Sequence, residues 1–296
     1  MRRRILNLVL LTITVALTAV VWFTQKKEEK GPPLTALKPE AITRILVQHP
    51  GKPAIRLEKE GDRWKMLEPV QAETDLFEIN GILELADLEV KQKIEGGAVD
   101  RKALELDPPQ YTVTLNDQAI ALGGTEPIKY RRYVATGEML GLVDDPPSAA
   151  LDDNYSDLVS KQVVPKTSAI AKLELPGLTV QRTPAGEWGV TEQPQAKAAQ
   201  VAKLVESWKN ASALWNSLDE PPTNAGEHVR VGLEDGRTLD FYVTAKDPQL
   251  VLASPALRVR YTLSKVLATE LFQVPEEKPA EEKPAEEKPA DEKPAP

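Results

Sequence analysis

The sequence contains the same structural unit twice, and this duplication limits the folds that the chain can adopt. Each copy begins with alternating apolar side chains followed closely by a Pro-Gly pair, starting at residues 41–47 in the first copy and 169–175 in the second. A second apolar alternation follows in each copy and leads to a tryptophan, Trp64 or Trp188. These patterns predict that both copies open with short β-strands joined by tight turns.

Each copy then changes to helical periodicity, with apolar residues recurring every three or four positions within residues 76–86 and 201–215. A Pro-Pro element follows, and strand alternation resumes around turns at residues 116–117 and 235–236. Consecutive hairpins indicate antiparallel pairing. We therefore predict an α+β class: two tandem β-rich repeats of roughly βββαββββ, each an antiparallel sheet with one covering helix, after a single N-terminal transmembrane helix.

Three tryptophans fall on or near the predicted helices and the strands they would cover. We predict that Trp64, Trp188 and Trp208 are core residues, because large aromatic side chains contribute most to a buried interface. The alternative is that Trp64 and Trp188 form an exposed platform for a ligand.

An apolar run at residues 5–23 predicts the transmembrane helix. Fifteen of its nineteen residues are apolar and none is charged. At ~1.5 Å per residue the run reaches about 28 Å, close to the ~30 Å hydrocarbon core of a bilayer. Three arginines precede it, and we predict a protein of the inner (cytoplasmic) membrane with its N-terminus in the cytoplasm and its body in the periplasm or outside the cell. A cleaved signal peptide is the alternative.

Composition changes along the chain set the remaining boundaries. Residues 275–296 repeat Glu-Glu-Lys-Pro-Ala and lack large apolar side chains, which predicts a disordered tail. The predicted segments are an N-terminal tail at 1–4, the transmembrane helix at 5–23, a linker at 24–38, the first repeat at 39–160, the second repeat at 161–274 and the tail at 275–296.

The charge and the cysteine count exclude several functions. The net charge of −8 repels phosphate backbones, so nucleic acid is not an expected partner. The absence of cysteine excludes disulfides, thiolate metal sites and cysteine nucleophiles.

The order of several short motifs resembles the domain of unknown function 4340 (DUF4340) family. The motifs are Ile42–Ile45, Trp64 to Pro69, Leu106–Val113, Leu122–Thr125 and Arg132–Val134. The resemblance covers roughly residues 1–272 and implies a bacterial single-pass membrane protein. It also implies association with ABC-type export or gliding-motility transporters, since some members are similar to their components. It brings no activity, cofactor or catalytic residue.

Catalytic chemistry has little support in the sequence. His49 and His228 have no metal-ligand partner at helical spacing, and no nucleotide-binding or nucleophile motif is present. The acid pairs at 144–145 and 152–153 are typical of solvated turns, although paired carboxylates also hold calcium or flank a glycosidic bond. We predict no catalytic, metal-binding or cofactor-binding residue and no cofactor.

One basic and aromatic cluster is a candidate interaction surface. It comprises Lys129, Tyr130, Arg131, Arg132 and Tyr133, which we name the basic strip, with Arg258 and Arg260 near the matching place in the second copy. Strand alternation would put Lys129, Arg131 and Tyr133 on one face. Such a strip suits an acidic partner, whereas the alternative is a strand edge protected by charge.

These features favour a membrane-tethered, non-catalytic scaffold or accessory protein outside the cytoplasm, with envelope proteins as partners. The resemblance implies ABC transporter subunits as further partners. A ligand-binding module with a groove between the two repeats is the alternative. A carboxylate-based hydrolase is a third and weaker hypothesis.

Overall fold

The computed structural model describes residues 5, 7, 11–18, 31–95, 99–137, 139–145 and 154–276. These residues form two antiparallel sheets of nine and eight strands. The first sheet contains β1 (Arg44–Gln48), β2 (Ile55–Glu60), β3 (Arg63–Glu68), β4 (Ala72–Glu73), β5 (Val90–Lys93), β6 (Tyr111–Leu115), β7 (Gln118–Thr125), β8 (Arg132–Thr136) and β9 (Met139–Val143). The second contains β10 (Ile170–Leu175), β11 (Leu178–Arg182), β12 (Trp188–Val190), β13 (Trp215–Leu218), β14 (Glu227–Leu233), β15 (Thr238–Ala245), β16 (Leu250–Ser254) and β17 (Val259–Leu263).

Helices are few among the described residues. They are α1 (Leu76–Leu83), α2 (Ala198–Asn210) and α3 (Leu267–Glu270), with 3-10 turns at Pro39–Ala41, Glu84–Ala86 and Tyr155–Leu158. A further helical run covers residues 11–18.

The chain forms two compact units whose boundaries do not follow the two sheets. The first unit contains Met1–Thr43, Gln48–Lys52 and Leu83–Pro147, and the second contains Arg44–Val47, Pro53–Ile82 and Ser148–Pro296. Strands β5–β9 therefore belong to the first unit. Strands β2–β4, nearly all of β1 and of α1, and the whole second sheet belong to the second unit.

In the first unit the strands lie in the order β6-β7-β8-β9-β5. Strand β5 returns to the edge of this group and pairs antiparallel with β9, with Val90 opposite Val143. A small core of Leu106, Ala135 and Leu140 packs within the unit. Burial in β6 alternates with a period of two, which places every second side chain on the core face.

In the second unit the strands of the second sheet lie in the order β12-β11-β10-β14-β15-β16-β17-β13. Helix α2 packs its apolar stripe against this sheet, and Trp208 is completely buried. The Trp208 ring lies 6.5 Å from the ring of Phe241 and 6.0 Å from that of Phe272. Its indole Nε1 donates a hydrogen bond of 2.8 Å to the carbonyl oxygen of Leu271, which fastens the chain after α3 to the helix.

The predicted α+β class is wrong, because the described chain is mostly antiparallel sheet. Each repeat has one strand more after its helix than the pattern indicated, namely β5 in the first and β13 in the second. Strand β5 has the sequence Val-Lys-Gln-Lys, which carries little apolar alternation. Trp215 extended the predicted helical series but lies in β13, because α2 ends at Asn210.

The predicted transmembrane helix at residues 5–23 is also not supported. In the described part of the chain, no helix is long and apolar enough to cross a membrane. Apart from residues 5, 7 and 11–18, the predicted span lies outside the described residues, as do positions 1–4, 24–30 and 277–296.

Candidate binding cleft

The second unit contains a cleft of about 400 Å³. Residues of both repeats line it. Its lining residues, which define the cleft below, are Arg63, Trp64, Lys65, Glu73, Thr74, Asp75, Leu76, Phe77, Ser160, Lys161, Gln162, Lys166, Thr167 and Ser212.

One wall forms where residues 158–160 pair with β4 and the residues after it. Thr74 and Val159 form an antiparallel bridge. The Ser160 backbone N–H donates 2.9 Å to the carbonyl oxygen of Glu73, and the Asp75 N–H donates 2.9 Å to that of Leu158. The chain between the two repeats is therefore held as an extra strand-like segment along this wall.

The other edge of the same segment pairs with the chain that follows α2. The Ala213 N–H donates 2.8 Å to the carbonyl oxygen of Lys161, and the Val163 N–H donates 3.0 Å to that of Ala211. Because residues 158–160 are paired on one edge and residues 161–163 on the other, neither edge of this segment is open along its whole length. A ligand would meet mainly side chains in the cleft.

The rim of the cleft carries two exposed apolar side chains at the start of α1. Phe77 is 79% exposed, and Leu76 beside it is also exposed. Asp75 explains this placement: its Oδ1 accepts a 2.9 Å hydrogen bond from the Phe77 N–H and so caps the helix, whose other face buries Ile79 and Ile82. Adjacent exposed apolar side chains beside a concave surface are typical of a recognition site.

Basic side chains outnumber acidic ones in the lining. They are Arg63, Lys65, Lys161 and Lys166, against Glu73 and Asp75. Lys161 Nζ lies 3.5 Å from Asp75 Oδ2, and Lys65 pairs with Glu60. Within the described part of the chain, Arg63 and Lys166 make no ion pair. The lining thus has a net positive charge on a chain whose net charge is −8.

The side-chain oxygen Oε1 of Gln162 is buried and accepts no hydrogen bond from the described residues. Asn216 Oδ1, which lies outside the cleft lining, is likewise buried without a partner among the described residues, so this feature does not by itself mark a ligand contact. The Gln162 side chain belongs to the cleft lining.

The basic strip predicted from the sequence is not one continuous strand face. Strand β8 begins only at Arg132, and a turn precedes it. Tyr130 adopts a positive φ of 55° in this turn and is largely exposed, as is Lys129. The alternation that would align residues 129, 131 and 133 therefore does not exist. Tyr133 lies within β8 and is half-buried.

The arginines of the strip pair with the acids that follow β9. Arg131 Nε lies 3.4 Å from Asp144 Oδ1. Arg132 is buried; its guanidinium binds Asp145 and donates 3.0 Å to the carbonyl oxygen of Gly123. The acid pair at 144–145 thus takes part in ion pairs of the first unit, and the pair at 152–153 lies outside the described residues.

Arg258 and Arg260 do not occupy the place that matches the strip. Arg260 lies in β17, which by the order of strands in the two sheets corresponds to β9 of the first sheet. Arg132, in contrast, is the first residue of β8. Arg260 Nε donates 2.7 Å to Oδ1 of the fully buried Asp219, and Arg258 pairs with Glu220.

Asp219 has a lowered pKa. Burial of the carboxyl opposes ionisation, but hydrogen bonds from the Thr223 backbone and hydroxyl and from Arg260 outweigh it and hold the pKa of Asp219 below its ordinary value. This carboxylate is therefore a structural ion, with its lone pairs already used inside the fold.

The three predicted core tryptophans have different surroundings. Trp208 and Trp64 are buried, and the Trp64 carbonyl oxygen accepts a 3.0 Å hydrogen bond from the Thr74 hydroxyl at the cleft. Trp188 lies in edge strand β12 and is only half-buried, with Arg182 4.6 Å from its ring centroid. No three metal-ligating side chains cluster among the residues that the structure describes.

Sequence reasoning did not single out Phe77, Gln162 or the basic side chains of the cleft. The sequence does mark Phe77, because this apolar residue falls outside the helical series of apolar residues, spaced three or four apart, that includes Ile79. No local pattern marks Gln162, since its burial depends on pairing with residues distant in sequence.

The comparisons with known proteins identify one family. A family model described as "Domain of unknown function (DUF4340)" matches residues 64–255. No curated protein and no solved structure matches the chain.

Proposed function

Since the chain belongs to the DUF4340 family, whose domain has no assigned function, we propose a function from its geometry: a non-catalytic scaffold or accessory protein that holds a segment of a partner protein in the cleft. The observation that carries the proposal is the cleft itself, whose lining combines the exposed Phe77 and Leu76 with four basic side chains.

The composition of the cleft favours a protein segment over a small molecule. Its volume of about 400 Å³ lies near the lower end of the ~300–1,000 Å³ typical of ligand pockets. Such pockets enclose their ligand, whereas Phe77 stands at an open rim of this cleft and six of its fourteen lining residues are charged. An aromatic anchor with a polar surround is the usual composition of a protein interface. A small ligand remains the alternative outcome of the experiment.

A peptide selection tests the proposal. Random peptides displayed on phage are selected on the purified full chain, and enriched peptides are measured against the variants Phe77→Ser and Ile128→Ser. We expect Phe77→Ser to weaken binding by about tenfold or more, because an aromatic anchor contributes on the order of 1–3 kcal/mol. Ile128 is the matched control, since it is equally exposed but lies in the first unit.

Two results would count against the function. One is the absence of any enriched peptide. The other is enrichment of peptides that bind the Phe77→Ser variant as tightly as the original chain. If small molecules but not peptides protect the chain from thermal unfolding in a Phe77-dependent way, the ligand-binding module replaces the scaffold.

The location outside the cytoplasm and the association with an ABC-type transport system stay predictions. A reporter fused at the C-terminus, active only in one compartment, tests the location.

A further inference from the structure

We infer that the partner segment is acidic and carries a large apolar side chain. This inference rests on the proposed function and specifies the chemistry that the same cleft selects. It combines the charge of the lining with the apolar rim.

The charge argument concerns Arg63 and Lys166. Both line the cleft, and neither makes an ion pair within the described part of the chain. Lys161 has a partner at 3.5 Å, which is a weak contact that an incoming carboxylate can replace. The positive lining attracts an acidic segment. The net charge of −8 repels other copies of the same chain at long range.

The rim sets a further requirement. The exposed Phe77 and Leu76 are removed from water most favourably when they pack against an apolar side chain of the partner. Residues 158–160 are paired on one edge and residues 161–163 on the other, so recognition falls mainly to side chains.

The acidic tail of this chain satisfies only the charge requirement. Residues 277–296 contain no apolar side chain larger than alanine apart from proline, so they offer no anchor for Phe77. The favoured occupant is therefore a segment of another protein.

Fluorescence anisotropy with three labelled peptides tests the inference. In the first peptide glutamates flank a Leu-Phe pair; in the second lysines replace the glutamates; in the third serines replace the Leu-Phe pair. We expect the full chain to bind the first peptide at least about tenfold more tightly than the other two, with binding that weakens as salt is added.

Charge-reversal variants locate the contact. The double variant Arg63→Glu and Lys166→Glu should weaken binding of the first peptide by about tenfold or more. The matched control is Lys203→Glu with Lys209→Glu, which changes the net charge equally at two exposed positions of α2. We expect the control to bind nearly as the original chain does.

The failures of the inference and of the proposed function are distinguishable. If the lysine peptide binds as tightly as the glutamate peptide, and Phe77→Ser weakens both, the cleft binds segments but does not select acidic ones. If phage-selected peptides bind through Phe77 and the glutamate peptide does not, the inference alone fails. If neither binds through Phe77, both fail. If the glutamate peptide binds only to a chain ending at Glu276, the tail is the occupant and the partner assignment is overturned.

Discussion

Replacing Trp208 with alanine is expected to lower the free energy of unfolding of the second unit by about 3–5 kcal/mol. Trp208 has no exposed surface, and its ring contacts Phe241 and Phe272. Removal deletes these contacts and leaves a cavity between α2 and the second sheet. Urea unfolding followed by circular dichroism measures the loss.

Two further variants separate packing from hydrogen bonding. Trp208→Phe keeps most of the ring but removes the indole N–H that donates to the Leu271 carbonyl, so it should cost about 1–3 kcal/mol. Trp215→Ala is the control, because Trp215 is 46% exposed and its removal should change stability much less. Equal losses for Trp208→Ala and Trp215→Ala would contradict the packing that places α2 on this sheet.

The variant Asp219→Ala should lose about 2–4 kcal/mol of stability at neutral pH. Asp219 is fully buried and accepts hydrogen bonds from the Thr223 backbone N–H at 2.6 Å, the Thr223 hydroxyl at 2.8 Å and Arg260 at 2.7 Å. Hydrogen bonds to charged groups contribute on the order of 1.5–3 kcal/mol each at most. The half-exposed Arg260 remains solvated after the substitution, which keeps the loss below the sum.

The stability lost on replacing Asp219 with alanine should decrease as the pH is lowered. Because the folded pKa of Asp219 is lowered, its ionisation stabilises the fold at every pH above the unfolded value of about 3.9. That contribution disappears as the pH falls through the lower folded pKa. The difference in unfolding free energy between the original chain and Asp219→Ala should therefore be constant from neutral pH to about 5 and shrink below about 4. A difference that grows on acidification would contradict the assigned ion pair.

Short sequence patterns predicted individual helices and hairpins of this fold better than they predicted the fold class. Helical periodicity was predicted from residue 76, and α1 does begin there, directly after the capping residue Asp75. The Asp235-Gly236 dipeptide predicted a hairpin, and β14 and β15 meet there with Gly236 at a positive φ. In both cases the signal depends on adjacent residues.

Features that depend on long-range contact left no readable pattern. Gly123 lies within β7, where a side chain would collide with the carbonyl oxygen of Leu104, a residue that does not neighbour it in the sequence. Arg132 belonged to an apparent surface strip, yet it is buried because Asp145 and the Gly123 carbonyl oxygen compensate its charge.

The cleft could not be predicted from the sequence for the same reason, because it depends on contacts between residues that are distant in the chain. Residues 158–163 appeared as the boundary between repeats, but they pair with β4 on one side and with the chain after α2 on the other. This pairing places Lys161 and Gln162 in the same cleft lining as Phe77. The hypothesis of a groove formed by the two repeats indicated that such a site was possible, without naming its residues.

Photo-crosslinking tests the central claim most directly. A glutamate peptide with a photoreactive phenylalanine analogue in its Leu-Phe pair is irradiated with the full chain, and mass spectrometry identifies the labelled residues. We predict crosslinks within residues 63–77 and 160–167, reduced in Phe77→Ser. Crosslinks confined to other surfaces, such as the basic strip at 129–133, would contradict the assignment of the cleft as the partner-binding site.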